Sequence, residues 1–119
     1  MKRIFSIKMK YHPDWRCKIE IDFDNVEAMP YIRTSVNFWD DHLLWVDEDF
    51  IQEFLLNISL EIFKMKVAGY SDHYVKTRGF TDKEGYSDKL DGTKFGVRLI
   101  SADSITFHST DLEVDEIEG

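Results

Sequence analysis

The chain has little cysteine and no long hydrophobic run, and each absence excludes a class of protein. Its one cysteine among 119 residues, Cys17, cannot form an internal disulfide, which excludes a disulfide-stabilised scaffold and fits a reducing compartment. No apolar run approaches the ~18 residues of a membrane span, and the start MKRIFSIKMKY lacks the apolar core of a signal peptide. These absences predict a cytoplasmic protein that does not associate with a membrane.

Motifs that carry known chemistry are absent as well. The sequence contains no G-x-S-x-G, no H-E-x-x-H, no phosphate-binding G-x-x-x-x-G-K frame and no cysteine pair. The histidines lack the i, i+4 spacing of a helical zinc pair; they stand at His12, His42, His73 and His108. We therefore expect no cofactor and no catalytic residue.

Two long segments contain almost no basic residues, and the N-terminal segment contains almost no acidic ones. Residues 20–63 hold eleven acids and a single base, residues 99–119 hold six acids and none, and residues 1–19 hold six bases and one acid. The net charge of −8 disfavours nucleic acid, whose binding needs clustered Lys and Arg, and it disfavours anionic membranes. A partner that complements this chain is expected to be a protein with a basic surface.

Two segments near the start alternate apolar and polar residues, 4–11 and 17–23, which is typical of strands with one buried face. Pro13-Asp14 between them favours a turn, so we predict a β-hairpin. Keeping both apolar sets on one face predicts three cross-strand pairs: Tyr11 with Cys17, Met9 with Ile19, and Lys8 with Glu20.

Two helices should follow the hairpin. The first has Pro30 in its first turn and an apolar stripe at spacings of three and four, and it should end near His42 or Leu44; its stripe is Ala28, Ile32, Val36, Trp39 and Leu43. The second runs from about Phe50 to Val67 and ends at Gly69.

The second helix carries apolar residues on two opposite sides. One broad arc comprises Phe50, Ile51, Phe54, Leu55, Ile58, Ile62 and Met65. The other, here called the second stripe, comprises Leu56, Leu60, Phe63 and Val67. Each stripe needs a cover, so either the rest of the chain or a second copy in a homodimer covers the second stripe.

The remainder of the chain is a long polar connection over 70–94, with a short helical turn around 72–78, followed by strand patterns at 95–99 and 105–107. We predict one α+β domain over residues 1–119. Its antiparallel sheet combines the N-terminal hairpin with the C-terminal strands, and two main helices pack on one face. The acidic C-terminal tail, about 111–119, is expected to be mobile because its like charges repel and termini fray.

The most concentrated group of acids lies in NFWDDHLLWVDEDF, residues 37–50, here called the acidic joint. Carboxylates beside an imidazole could hold a divalent cation, and one alternative is a metal-dependent hydrolase that uses Asp40, Asp41, His42 and Asp49. Helix ends explain more of the pattern. Asp49 and Gln52 have the spacing of a capping box, and His42 suits a helix C-terminus, so we expect no metal here.

VNFWDDHL and EGYSDKLDGTKFGVRLISAD resemble a family of small uncharacterised proteins of bacteriophage and prophage genomes, catalogued as domain of unknown function 2528. The resemblance covers most of the chain, from the strand ending in IEIDFDN through the triplet Asn37, Phe38 and Trp39 to the segment Phe95–Ile100. It implies a phage-encoded accessory protein in the cytoplasm of a bacterial host, and it transfers no activity and no catalytic residue.

The leading hypothesis is a non-catalytic acidic binding protein that binds a basic surface of a host or defence protein. Aromatic residues beside the acids would carry affinity while the acids steer encounter. The predicted partner-binding residues are Asp40, Asp41, Trp45, Asp47, Glu48 and Asp49. Two alternatives remain: the hydrolase, and a structural homo-oligomer formed through Leu56, Leu60, Phe63 and Val67.

Overall fold

The computed structural model describes residues 1–38, 41–87, 89–104 and 112–117, and only the backbone of 12–14. The described elements are β1 (Lys2–Met9), β2 (His12–Asp22), α1 (Ala28–Asn37), α2 (Asp47–Val67), α3 (Asp72–Thr77) and β3 (Val97–Ala102). The three strands form one antiparallel sheet in the order β1-β2-β3. This architecture confirms the α+β prediction.

The hairpin forms with a different register from the one predicted. Its turn lies at Lys10 and Tyr11, ahead of Pro13-Asp14, which belongs to β2. Cys17 consequently faces Ile7, four residues from its predicted partner. An even shift leaves every apolar side chain on its original face, so alternation alone cannot distinguish the two registers.

The predicted pair of Lys8 with Glu20 is therefore wrong. Lys8 lies opposite Arg16, and Glu20 lies opposite Ile4 on that side. On its other side Glu20 accepts a hydrogen bond from Arg98 of β3, at 3.2 Å between Nη2 and Oε2. The third strand thus supplies the partner that the hairpin alone could not reveal.

α1 is shorter than predicted, because it ends at Asn37 and not near His42 or Leu44. The Asn37 side chain accepts a hydrogen bond from the His42 backbone N–H at 3.1 Å. An asparagine that bonds nearby backbone groups competes with the helical hydrogen-bond pattern. Leu43, predicted to continue the apolar stripe, consequently lies outside the helix and is exposed.

α2 confirms its prediction closely, although it starts three residues early, at Asp47. Every residue of its broad arc is buried. At its end Gly69 adopts a φ of +92°. The Gly69 N–H donates to Lys66 O at 3.0 Å and the Tyr70 N–H to Met65 O at 3.2 Å, the two bonds of a Schellman motif.

The core lies between the inner face of the sheet and the helices. Fully buried side chains come from β2, β3 and all three helices; among them are Ile19, Ile21, Leu99, Ile32, Phe54, Ile58 and Val75. The predicted short helical turn is α3, and Phe80 and Leu90 are buried after it. The Leu90 N–H also donates to Lys76 O at 2.8 Å. The 70–94 connection is therefore held to the core at defined points.

The C-terminal predictions are met in part. β3, Val97–Ala102, overlaps the first predicted strand pattern at 97–99, whereas 105–107 lies outside the described residues. Residues 112–117 are exposed and form no strand. The remaining tail positions, 111, 118 and 119, lie outside the described residues.

Candidate functional site

The carboxylates of the acidic joint that lie in α2 are engaged within the chain. Asp47 accepts hydrogen bonds from Arg33, the shorter at 2.6 Å between Oδ1 and Nη2. Glu48 accepts one from Arg3 at 2.8 Å. These are exposed pairs, each contributing about 0–1 kcal/mol to stability, so they position the helix start more than they stabilise it.

The predicted capping box is wrong in its residues. The N-cap of α2 is Val46, and Asp49 is the third helical residue, whose Oδ2 accepts from the Val46 N–H at 3.2 Å. This is one of the two hydrogen bonds of a capping box, the one from the N-cap backbone N–H to the side chain of the third helical residue. The other bond is missing, because valine has no side-chain oxygen to accept from the Asp49 N–H. The acids of the first turn also face the positive end of the helix dipole.

Trp45 and His42 form a stacked pair, with ring centroids 3.8 Å apart and planes at 11°. Trp45 also meets the edge of Phe50 at 5.6 Å, so this predicted partner-binding residue is half packed against α2. The predicted placement of His42 at the C-terminus of α1 is wrong, because the helix ends five residues earlier. Stacking on indole is the contact that His42 makes instead.

Leu43 and Leu44 are the unexpected feature of the acidic joint. They are 92% and 96% exposed, and Val46 beside them is also exposed. Asp41 is exposed next to them, while Asp40 lies outside the described residues. The apolar spacing predicts Leu43 on a buried helical stripe, whereas Asn37 is the residue in the sequence that favours an earlier helix end. The joint therefore presents apolar side chains between acids.

The metal-site alternative gains no geometric support from the described residues. Among them, no three His, Cys, Asp or Glu side chains converge closely enough to hold an ion. Asp49 is bonded to the Val46 N–H and His42 is stacked on Trp45. Asp40 lies outside the described residues, so the four-residue hydrolase site stays a prediction.

The second stripe of α2 is covered at only one of its four positions. Phe63 is buried within the chain. Leu56, Leu60 and Val67 are each about half exposed. Within the described part of the chain, an apolar row along α2 therefore stays in contact with water, and self-association through it stays a prediction.

A cleft of about 490 Å³ lies between α1 and the 85–95 segment. Tyr31 lines the cleft and is stacked on Phe95 with ring centroids 4.5 Å apart. The Tyr31 hydroxyl accepts a hydrogen bond from the Ser87 N–H at 3.0 Å. Burial raises the pKa of Tyr31 to about 12, and the Ser87 bond offsets only part of that rise. The phenol therefore stays protonated near neutral pH and cannot serve as a general base.

Cys17 is buried on the inner face of β2, where its thiol donates to Ser59 Oγ at 3.3 Å. Burial raises the pKa of the thiol, the Ser59 bond partly opposes this, and the charge of Asp103 adds to it. A protonated, inaccessible thiol is not a nucleophile. Cys17 acts as a small core residue, as its place on the apolar strand face predicted.

No protein-family model, no curated protein and no solved structure matches the chain. The resemblance to the phage and prophage family accordingly stays a prediction. Among the described residues, none of the helices combines the length and apolar character needed to cross a bilayer.

Proposed function

We propose that the protein is a non-catalytic binding protein whose acidic joint docks on a basic surface of another protein. The observation that carries this proposal is the nearly complete exposure of Leu43 and Leu44 within a segment rich in acids. Removing exposed apolar side chains from water in an interface is favourable by about 25 cal/mol per Å² of apolar surface buried, and exposed apolar patches often mark protein–protein contacts. The joint offers such side chains already outside the core.

The acids of the joint attract a basic partner before contact. Asp47 and Glu48 are paired with Arg33 and Arg3, but the joint itself, residues 37–50, holds five acids and no Lys or Arg. The field around this part of the molecule is therefore negative despite the local pairs. Such a field raises the rate of encounter with a basic partner and lowers it for an acidic one.

The proposed setting is the cytoplasm of a bacterial host, with the chain as a phage or prophage accessory factor and a host or defence protein as its partner. This part rests on the resemblance of VNFWDDHL and EGYSDKLDGTKFGVRLISAD to the phage family. The chemistry of the joint specifies the partner only as a basic surface with an apolar centre.

The test separates the apolar anchors from the acids that hold the fold. Leu43→Ser/Leu44→Ser removes the anchors, and Asp41→Asn removes an exposed acid, while the bonds of Asp47, Glu48 and Asp49 stay intact. Val26→Ser, at an exposed apolar position elsewhere, is the matched control. Wild type and variants are used to capture partners from bacterial lysate, and each recovered partner is then purified for affinity measurement.

We expect the double leucine variant to weaken the affinity for the partner by at least about tenfold, which corresponds to about 1.4 kcal/mol. Asp41→Asn should slow association, most clearly at low salt, and Val26→Ser should bind like wild type. A partner that binds the double leucine variant as tightly as wild type would refute docking through the joint.

A further inference from the structure

A groove of about 500 Å³ separates β1 from the first half of α2. We call it the edge groove; its apolar lining is Phe5, Ile7, Ile51, Leu55 and Leu56. Leu56 is the exposed member of this lining, and Ile51 and Leu55 are buried beneath it. Glu48 and Asp49 also line the groove, and their bonds to Arg3 and to the Val46 N–H already occupy them.

β1 bounds the edge groove and is an edge strand of the described sheet. In an antiparallel pair every second residue of such a strand points its N–H and C=O away from its partner, toward any strand that might be added. On the outer face of β1, Lys2 and Lys8 are exposed together with Ile4 and Ser6, and Lys10 is exposed in the turn that follows.

The described tail, residues 112–117 with the sequence LEVDEI, has the complementary pattern. Leu112 and Val114 are 70% and 96% exposed, and they alternate with Glu113 and Asp115. In an extended strand the two apolar side chains would share one face and the two acids the other. The tail therefore carries the features of a strand with one apolar face, and in the single chain it forms none.

We propose that the tail of a second copy adds to β1 as a fourth strand. Leu112 and Val114 would enter the edge groove against Leu56, while Glu113 and Asp115 would lie beside Lys8 on the open face of the sheet. Addition of an extended segment to a sheet edge gains main-chain hydrogen bonds for affinity and uses alternate side chains for specificity. Lysines on an edge discourage uncharged strands, so this edge selects an acidic one.

Reciprocal exchange of tails between two copies makes a closed dimer, because each chain offers one tail and one edge groove. The charge distribution favours it: residues 1–19 hold six bases and one acid, and residues 99–119 hold six acids and no base. The exchange of tails uses neither Leu43 nor Leu44, so its test does not depend on whether a partner binds at the acidic joint.

Sedimentation velocity on the full chain over a wide concentration range tests the exchange. Wild type should form a dimer, and Leu112→Asp/Val114→Asp in the tail should be monomeric, as should Leu56→Glu in the groove. Val26→Glu, an apolar-to-acid change at an exposed site outside both surfaces, should remain dimeric. A wild type that is monomeric throughout, or a dimer that survives the tail variant, would overturn the proposal; the second outcome would assign the dimer to another surface.

A mixing experiment establishes that the tail reaches a different chain. The Leu56→Glu variant, whose tail is intact, is labelled with ¹⁵N and titrated with unlabelled Leu112→Asp/Val114→Asp, whose groove is intact. Saturable shifts of the amides of residues 112–117 are expected. If the tail amides do not shift, the proposed exchange of tails between chains is wrong. It is also wrong if the tail amides of monomeric wild type are already protected from hydrogen exchange, because the tail would then be docked on its own chain.

Discussion

A buried ion pair at the junction of α2, α3 and β3 provides the sharpest test of how this fold is held. The Lys66 Nζ lies 2.8 Å from Asp72 Oδ1, with the Lys66 side chain 6% exposed and that of Asp72 37% exposed. The other carboxylate oxygen, Oδ2, accepts from the Ala102 N–H at 3.3 Å. One carboxylate therefore links the end of α2, the first turn of α3 and the end of β3.

Asp72→Ala should destabilise the protein much more than removal of its partner. The change leaves a buried ammonium without its counter-charge, which costs about 3–5 kcal/mol in a fully enclosed site. Water reaches the partly exposed Asp72 position and offsets some of this, so we expect about 2–3 kcal/mol. Lys66→Met removes the buried charge and keeps the apolar stem, and it should cost less than about 1 kcal/mol.

Urea unfolding followed by tryptophan fluorescence measures both effects. At a typical slope of about 1–3 kcal/mol per molar urea, a loss of about 2–3 kcal/mol in Asp72→Ala should lower the midpoint by about 0.7–3 M. The double variant Lys66→Met/Asp72→Ala is the control, and it should be more stable than Asp72→Ala alone. If Asp72→Ala costs no more than Lys66→Met, the argument from an uncompensated buried charge fails.

Three further predictions follow from single groups. Val46→Ser should raise the free energy of unfolding by about 0.5–1 kcal/mol. The N-cap backbone is extended, with φ −88° and ψ 168°, so a serine hydroxyl there would complete the capping box that Asp49 half forms. An unchanged or lower free energy of unfolding in urea contradicts this. The Cys17 thiol, buried and with a raised pKa, should resist iodoacetamide in native buffer and react fully in denaturant; rapid native labelling would place the thiol outside the core. Burial raises the pKa of Glu61, but the hydrogen bond and charge of Lys83 outweigh it, so the folded pKa lies below the ordinary 4.5. The stabilisation from Glu61 should therefore be complete above that ordinary value and disappear as pH falls through the folded pKa. Melting temperatures of wild type and Glu61→Gln should differ more near neutral pH than in acid, and a constant difference would refute the linkage.

α2 was predictable because its signals are local. Its hydrophobic periodicity identified the buried arc, and Gly69 marked its end, since a residue with positive φ just beyond the last turn favours glycine. The sequence predicts its start three residues late, because the spacing of Asp49 and Gln52 indicates Asp49 as the N-cap. An acid can serve either as the N-cap or, as here, as the third helical residue, and composition does not distinguish the two.

The end of α1 and the register of the hairpin are features that local sequence patterns do not predict. The apolar spacing continued past Asn37, but the asparagine side chain bonds the chain that follows it and ends the helix. In the hairpin, alternation determined which face of each strand is buried. It left the register open, because shifting by four residues preserves that face.

Some features of the acidic joint can be predicted from the sequence, and others depend on the fold. The concentration of acids in the joint and the apolar residues beside them could be read from the chain alone. The partners of those acids could not, because Arg3 lies 45 positions from Glu48. The exposure of Leu43 and Leu44 likewise depended on where α1 ends and on what packs nearby.

The sequence by itself determined the α+β composition, the buried faces of β1, β2 and α2, and the opposite charges of the first and last segments. Periodicity and charge are properties of neighbouring residues, so they survive without knowledge of the fold. Only the tertiary structure decided the strand register, the open edge groove beside β1 and the ion pairs at the start of α2. Those features depend on distant segments brought together, which no local pattern specifies.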